Sequence, residues 1–442
     1  MSPYFFALLG GLLVLAFVAN RLSRWTRVPD VIVLLATGIL IGPVTHWVNA
    51  ARFSEITRGF GTLALILILF AAGLELDLRN ALRQVSSGLV LAFICYGLTF
   101  VGITYFCIYA LHLQRLPAML VASALACISG SIVLPVLEQL ELRPEVKTTL
   151  IVEASFGDGV GALGVSVLLD LAAGGRSMMS GPLPNMLEKI GMAPGSRQAL
   201  AGGVAALILF KFLLALAVAI AAGFAWTRLL PLISDQQFWQ VLTFAAVLLV
   251  YAGTHALGAS ELFAVMAFGA TLANLPDPRN PKTEFGFRIL PPDPSKQIHS
   301  FHSELAFLVR SFFFVLLGVL VEFGGLRRQA VAALGILGVL FLARFLAVEL
   351  SRIVWRGTTH AEREVAILLI PRGLITAVLA LEVVQAIPAE LSFLTPLTFA
   401  VILITNVLVL MASIRANRLR TKNLIPRIPP SESPARPDPL SQ

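Results

Sequence analysis

Two carboxylates lie within an apolar segment that is long enough to cross a bilayer. Residues 150–169 read LIVEASFGDGVGALGVSVLL and include Glu153 and Asp158, and a bilayer crossing takes about 20 such residues. A carboxylate near the middle of a membrane costs at least about 2.5 kcal/mol on insertion scales. A water-filled cavity, a partner cation or a bound ion must therefore offset that cost.

Asp158 is the carboxylate better suited to exchange chemistry. An aspartate partly removed from water can hold a proton at one pH and a hard monovalent cation, Na⁺ or K⁺, at another. Competition of two ions for one carboxylate is sufficient for exchange if the site opens to one side of the membrane at a time. The alternative is a structural aspartate that is hydrogen-bonded to a broken helix.

Glu153 is expected to have a different role. It precedes Asp158 by five residues, which is about 500° around a helix, so the two carboxylates do not share a face. Arg372 follows Pro371 within a later apolar segment, and buried charges need partners. We therefore expect a structural Glu153–Arg372 ion pair, and the alternatives are a direct role of Glu153 in transport and pairing with other residues.

Two apolar segments are interrupted near their middles. The fifth contains ACISGSIVLPVL, with Ser129, Gly130 and Ser131, and the twelfth contains LLIPRGLITAVL, with Pro371. Paired interruptions seven segments apart predict inverted repeats whose broken helices build a transport site, whereas two ordinary kinked helices are the alternative. The serine hydroxyls and freed carbonyls can coordinate a cation or bond Asp158, or these small residues can simply pack helices together.

The elements that hold these residues are predicted to be membrane helices. The chain is 57% hydrophobic and 13% charged, with a mean hydropathy of +0.86, whereas soluble domains are about 25% charged. Thirteen apolar segments predict an all-α polytopic membrane protein with about 13 transmembrane helices. An N-terminus outside and a C-terminus in the cytoplasm place most loop lysines and arginines inside, as the positive-inside rule requires.

The remaining composition excludes several other classes. The net charge of +8 is assigned to membrane topology, so no nucleic-acid partner is expected. No Walker A, HExxH or GxSxG motif is present, nor a dinucleotide-binding fingerprint after a strand. The glycine-rich GDGVGALG around Asp158 lies inside an apolar span, so it is not interpreted as a phosphate-binding loop. No enzyme activity or cofactor is expected beyond the transported Na⁺ or K⁺ and H⁺. The short loops favour a bacterial inner membrane. Three further charges are expected to snorkel or to pair between helices: Lys211, Arg344 and Glu349. Arg310, within the tenth apolar segment, is expected to have a structural or interfacial role.

Several segments together resemble the monovalent cation:proton antiporter superfamily, in its sodium/proton exchanger and Kef-like branches. VEASFGDGVGALGV resembles the ESxxNDG signature of that superfamily. LFAAGLELDLR, CISGSIVLPVL, FHSELAFLVRSFFFVLLGVL and LLIPRGLITAVLALE resemble its other segments, in the same order, across residues 69–385. The resemblance implies that Asp158 is the ion-binding aspartate, that Glu153 and Arg372 form a structural pair, and that the broken helices cross beside them.

The resemblance also implies a domain organisation. The transmembrane antiporter domain, residues 1–414, would form a homodimer in the lipid bilayer, with a core that moves in an elevator-like manner. The core helices would be residues 86–172 and 329–414, and the dimerisation helices would be residues 4–75 and 199–322. Residues 415–442 are rich in Pro, Ser and Arg and are expected to form a disordered cytoplasmic tail.

Two departures from the family pattern refine the expected function. Gly157 stands where the family has Asn or a second Asp, which favours electroneutral, one-for-one exchange. Ile128–Ser129–Gly130 replaces a Thr-Asp-Pro of one branch, which leaves both Na⁺ and K⁺ open. We therefore expect a secondary antiporter for pH homeostasis that works by alternating access around Asp158. A fold-related carrier of an anion or organic solute, and a sensor or channel-like gate without exchange, are the alternatives.

Overall fold

The structure, a computed structural model, is predominantly helical in the part of the chain that it describes. It describes residues 10–19, 30–46, 50–75, 78–140, 142–172, 197–230, 238–274, 292–319, 329–353 and 358–421, and the single positions 21, 321, 324 and 355. No strand occurs among these residues. A helix satisfies its own backbone hydrogen bonds, which a bilayer interior requires, and the predicted all-α class is confirmed.

The helices are numbered here in chain order. They are α1 (Gly10–Ala19), α2 (Asp30–Ile39), α3 (Ala50–Glu75), α4 (Leu78–Ala110), α5 (Arg115–Ala126), α6 (Gly130–Gln139), α7 (Pro144–Ala172) and α8 (Arg197–Leu229). They continue as α9 (Trp239–Ala256), α10 (Glu261–Asn274), α11 (Pro292–Val319), α12 (Ala330–Leu350), α13 (His360–Leu368), α14 (Leu374–Ala386), α15 (Pro388–Leu391) and α16 (Leu394–Thr421).

Many of these helices have the length and composition of membrane spans. Among the described residues, eight candidate spans are long and apolar enough to cross a bilayer, and five further apolar helices are shorter. Each predicted apolar segment overlaps one of them, while the number of crossings and the inverted repeats stay predictions. Helix α16 continues to Thr421, so residues 415–421 of the predicted disordered tail are helical. Residues 422–442 lie outside the described part of the chain.

Both predicted interruptions are breaks in the helices. The first break separates α5 from α6 at Cys127–Ser129, and the second separates α13 from α14 at Leu369–Gly373. A capping box starts α13, because the Thr359 side chain accepts from the Glu362 N–H and Glu362 accepts from the Thr359 N–H. The sequence therefore correctly located two discontinuous helices.

The helix contacts fall into two groups. In the scaffold group, α3 packs on α10 and α11, α11 packs on α2, and α8 and α9 pack on α10. In the core group, α4 packs on α5, α7 and α12, while α16 packs on α12, α13 and α14. Glycines bring the scaffold helices close together, since a Cβ on Gly269 would lie 2.5 Å from the Phe70 carbonyl oxygen. These groups agree in outline with the expected core and dimerisation helices, a division that stays a prediction.

Candidate functional site

The two breaks meet each other inside the core group. The N–H of Ser129 in the first break donates a hydrogen bond to the Pro371 carbonyl of the second, at 3.0 Å. Gly373 ends the second break, and a Cβ there would lie 2.8 Å from the Ser129 Cβ. The close approach therefore requires glycine at this position, a residue that the sequence did not single out.

Asp158 lies beside the first break. The residue is 2% exposed, and its Oδ2 accepts a hydrogen bond of 3.0 Å from the N–H of Gly130, the first residue of α6. A helix N-terminus carries partial positive charge and unpaired N–H groups, so it favours a carboxylate there. Its other oxygen, Oδ1, has no hydrogen-bond partner among the described residues. A purely structural role for Asp158 explains the hydrogen bond between Gly130 and Oδ2, but it does not explain why Oδ1 is buried without a partner.

The two serines at the break bond each other and not Asp158. The hydroxyls of Ser129 and Ser131 lie 3.1 Å apart, and within the described part of the chain the hydrogen bond to Asp158 comes from the backbone of Gly130. Ser129 is buried, whereas Ser131 borders a cavity. Cation coordination by either hydroxyl stays a prediction.

The glycines near Asp158 differ in how much room surrounds them. A Cβ on Gly130 would lie 3.3 Å from Oδ2 of Asp158, which is a tight contact. A Cβ on Gly157 would find its nearest non-local atom, the Ile128 nitrogen, at 3.9 Å. Gly130 is therefore required by close approach, whereas Gly157 leaves space for the first atom of a side chain.

Arg372 closes the other end of the first break. Its backbone is held by the last helix, because its N–H donates to Thr405 Oγ1 at 3.1 Å and its carbonyl accepts from Asn406 Nδ2 at 2.9 Å. Its Nη1 donates to the carbonyl of Cys127 at 2.6 Å, directly after the end of α5. A helix C-terminus carries partial negative charge, so Arg372 complements α5 as Asp158 complements α6.

The structure corrects the predicted Glu153–Arg372 ion pair. Glu153 is 2% exposed, and its carboxylate pairs with Nη1 of Arg344 in α12. Arg344 also donates from Nε to the Ala366 carbonyl at 2.9 Å. The pairing differs because Arg372 is already committed to Cys127, whereas α12 packs on α4 and α13 and brings a second arginine into the core group. The expectation that Arg344 pairs between helices is confirmed.

A second ion pair joins the connection between α6 and α7 to the start of α13. Arg143, which precedes α7, donates from Nε to Oε1 of Glu362 at 2.7 Å and from Nη2 to Oε2 at 2.5 Å. Burial acts to raise the pKa of Glu362, but the hydrogen bonds from Arg143 and Thr359 outweigh it, and the pKa lies below its ordinary value. Glu362 is therefore held as a carboxylate that fixes the start of α13.

Two cavities border α7 on either side of Asp158. The Ser155 cavity, of about 170 Å³, is lined on α7 by Ile151, Ala154 and Ser155. The Asp170 cavity, of about 180 Å³, is lined on α7 by Ala162, Ser166, Leu169 and Asp170. In both cavities the opposite wall comes from the scaffold group, through α3 and α11 in the first and through α8 and α10 in the second. Asp158 therefore lies along α7 between the residues that line the two cavities, and it lines neither of them itself.

The Asp170 cavity is lined by several ionisable side chains. Lys211 of α8 pairs with Asp170 and donates to Ser166 Oγ at 3.1 Å, which confirms its expected pairing between helices. His255 Nδ1 lies 3.4 Å from Glu261 Oε1. Glu382 of α14 borders the same space.

Four residues that shape the site were not predicted for that role. They are Arg344, Gly373, Thr405 and Asn406. The signals were present for two of them, since Arg344 and Asn406 are polar side chains inside apolar segments, where they need partners. Nothing local in the sequence indicates which helices those partners occupy.

Comparisons with known proteins agree with this architecture. The sequence model for the transmembrane region of sodium/hydrogen exchangers matches residues 12–413. The chain is 27% identical over 412 residues to Na⁺/H⁺ antiporter 1 of Methanocaldococcus jannaschii, covering 89% of this chain and 88% of that protein. It is 25% identical over 353 residues to the K⁺/H⁺ antiporter NhaP of Alkalimonas amylolytica, covering 78% of this chain and 54% of that protein.

A solved structure shares the fold. The sodium proton antiporter MjNhaP1 from Methanocaldococcus jannaschii superposes with a TM-score of 0.74 at 22% identity, covering 94% of this chain and 98% of that one. The resemblance found in the sequence is thereby confirmed. Because the family match spans nearly the whole membrane region, the chain belongs to the sodium/hydrogen exchanger family.

Proposed function

We propose that the protein is a secondary antiporter that exchanges protons for Na⁺ or K⁺ at Asp158. The observation that carries the proposal is the hydrogen bonding of the two oxygens of the Asp158 carboxylate. One oxygen is fixed by the Gly130 N–H, and the other has no partner among the described residues although the side chain is 2% exposed. A buried carboxylate oxygen without a partner is costly, and either a proton or a bound cation removes the cost.

The arrangement around Asp158 suits competition between these two ions. When the carboxylate is ionised, the N-terminus of α6 stabilises it and a monovalent cation can bind the unpartnered oxygen. When it is protonated, the cation has no charge to bind, so the two ions exclude each other. The relatives named above include one antiporter for Na⁺ and one for K⁺, and we propose the same class of cation here without choosing between them.

Alternating access is the second part of the proposal. Asp158 lies between the Ser155 cavity and the Asp170 cavity, and each cavity is walled by α7 on one side and by scaffold helices on the other. A shift of the core group along the scaffold group would connect Asp158 to one cavity and then to the other. We propose that the protein does this as a homodimer, with the N-terminus outside and the C-terminus inside a bacterial inner membrane.

Exchange in proteoliposomes tests the proposal. Wild-type protein should exchange H⁺ for Na⁺ or K⁺ across a pH gradient, and Asp158→Asn should reduce exchange to background because an amide cannot release a proton. Glu364→Gln is the control, since it also neutralises a carboxylate, but one that pairs with Arg415 at the surface and lines neither cavity, and it should keep exchange. Li⁺ is assayed beside Na⁺ and K⁺ to rank the cations.

The outcomes separate the candidate functions. Exchange that persists in Asp158→Asn would rule out the site assignment, and transport of an anion or organic solute with no cation dependence would replace the proposed cargo. Absence of any flux from folded wild-type protein would favour a sensor or gate. Folded state is checked in each case by a monodisperse elution profile in detergent.

A further inference from the structure

The first turn of α6 contains a backbone carbonyl that its own helix cannot satisfy. In a regular α-helix the carbonyl of Ser131 accepts from the N–H of the residue four positions later. That residue is Pro135, and proline has no N–H. A carbonyl that is left without a donor away from water is costly, so such groups almost always find another partner.

The missing donor comes from a different helix. Nη1 of Arg310, in α11, donates to the Ser131 carbonyl at 3.1 Å. Arg310 and Ser131 both line the Ser155 cavity, which also borders Gly130. The guanidinium therefore reaches across the cavity wall and replaces the hydrogen bond that the proline removes.

This contact lies one residue from the proposed exchange site. Ser131 directly follows Gly130, whose N–H holds Oδ2 of Asp158 at 3.0 Å. Both residues belong to the first turn of α6, so an unsatisfied carbonyl at Ser131 would loosen the turn that orients that N–H. A loosened turn would present Asp158 with a less well-directed hydrogen-bond donor.

The contact also joins the two groups of helices. Helix α11 packs on α2 and α3 of the scaffold group, whereas α6 packs on α7 of the core group. The bond from Arg310 to Ser131 therefore crosses the boundary along which the core group would shift during exchange. It can form only in conformations that bring α11 against the start of α6.

We propose that Arg310 is a positioning residue for cation binding, which acts by supplying the hydrogen bond that Pro135 denies to Ser131. The inference rests on the proposed role of Asp158. It predicts that the need for Arg310 depends on the proline, because an internal N–H at position 135 would make the external donor redundant. A role that depends only on the positive charge of Arg310 predicts no such dependence.

The test is a cycle of four proteins in proteoliposomes: wild type, Arg310→Met, Pro135→Ala and the double variant. Methionine keeps much of the side-chain volume and removes both the donor and the charge. Arg310→Met should raise the KM for the cation about tenfold, the factor that one hydrogen bond of ordinary strength gives, with a smaller change in Vmax. Adding Pro135→Ala should return the KM to within about threefold of the Pro135→Ala background.

Arg310→Lys separates the hydrogen bond from the charge. Lysine keeps the charge but lacks the long planar fork of arginine, so it should restore the KM only in part, whereas Pro135→Ala should restore it without any charge. If Pro135→Ala leaves the Arg310→Met defect unchanged, or if Arg310→Met leaves the KM unchanged, the inference is overturned. Full rescue by Arg310→Lys without any rescue by Pro135→Ala would overturn it in favour of a charge effect on the cavity.

Two further measurements keep the outcome interpretable. If Arg310→Met is not recovered as folded protein, Arg310→Gln is compared in the two backgrounds, with the same expectation of rescue by Pro135→Ala. Asp158→Asn is assayed in parallel with wild type. If Asp158→Asn loses exchange but Pro135→Ala does not rescue the Arg310 variant, the proposed function is retained and only the role of Arg310 is rejected.

Discussion

Removing the guanidinium of Arg344 should destabilise the protein by about 3–5 kcal/mol, because the Glu153 carboxylate would remain buried without its cation. The two residues are 1% and 2% exposed, so solvent cannot screen the unpaired charge. The substitution Arg344→Met also removes the hydrogen bond to the Ala366 carbonyl at 2.9 Å, but it keeps much of the packing volume. The magnitude is therefore dominated by the uncompensated carboxylate.

Removing both charges should recover a large part of that loss. In Glu153→Gln/Arg344→Met no buried ion is left unpaired, and the coupling energy between the two positions should reach about 2–3 kcal/mol, the upper range for residues in direct contact. The matched cycle uses Arg372→Met in place of Arg344→Met. Its coupling to Glu153→Gln should be smaller, because Arg372 donates to the Cys127 carbonyl and not to Glu153.

Both cycles can be measured by thermal unfolding and by denaturant titration of purified protein in one detergent. Each single and double variant is compared at the same pH and salt concentration. A larger coupling for Glu153 with Arg372 than with Arg344 would refute the pairing and reinstate the one expected from the sequence. Equal and small couplings in both cycles would mean that neither arginine carries the charge compensation.

Two other predictions concern the neighbouring groups. The pKa of Glu362 lies below its ordinary value, so its stabilising contribution is complete above the pKa of the unfolded chain and is lost as pH falls through the folded-state pKa. Glu362→Gln should therefore lower the melting temperature at neutral pH, and its difference from wild type should shrink in acid; a difference that does not depend on pH would contradict this. Gly157→Asp should fold, because a Cβ there would lie 3.9 Å from the Ile128 nitrogen, and exchange by this variant should respond to an imposed membrane potential. Wild-type exchange should not respond, and a potential-dependent wild-type rate would contradict one-for-one stoichiometry.

Much of the site could be predicted from the sequence, because its signals are local. A carboxylate, a serine pair or a proline within an apolar segment is costly in a membrane, so each such residue indicates a special environment wherever the segment packs. Asp158 and the two breaks, at Cys127–Ser129 and at Leu369–Gly373, were located in this way. These features required no knowledge of which helices are neighbours.

The partners of the buried charges could not be predicted in the same way. Glu153 had three arginines available in apolar segments, Arg310, Arg344 and Arg372, and the choice among them depends on helix packing. In the structure Glu153 pairs with Arg344. Arg372 is not available to Glu153, because Thr405 and Asn406 hold its backbone and its guanidinium is directed to the end of α5. Sequence spacing contains no information on that long-range choice.

The missing hydrogen bond at Ser131 is an intermediate case. The proline four residues later is visible in the sequence and predicts an unsatisfied carbonyl in α6. The donor is Arg310, 179 residues away along the chain. The requirement was therefore local, whereas the residue that meets it was not.

The charges at the breaks favour one-for-one exchange. Glu153, Arg344 and Arg372 are each held by a direct bond within the core group, and arginine does not lose its proton in proteins. Protonated Asp158 therefore leaves these four side chains with one net positive charge, and ionised Asp158 with a bound monovalent cation leaves the same charge. A membrane potential acts on moved charge at about 2.3 kcal/mol per elementary charge per 100 mV. In the proposed cycle both loaded states carry equal charge. We therefore expect the potential to do no net work on the exchange, and a second acid at position 157 would remove that equality.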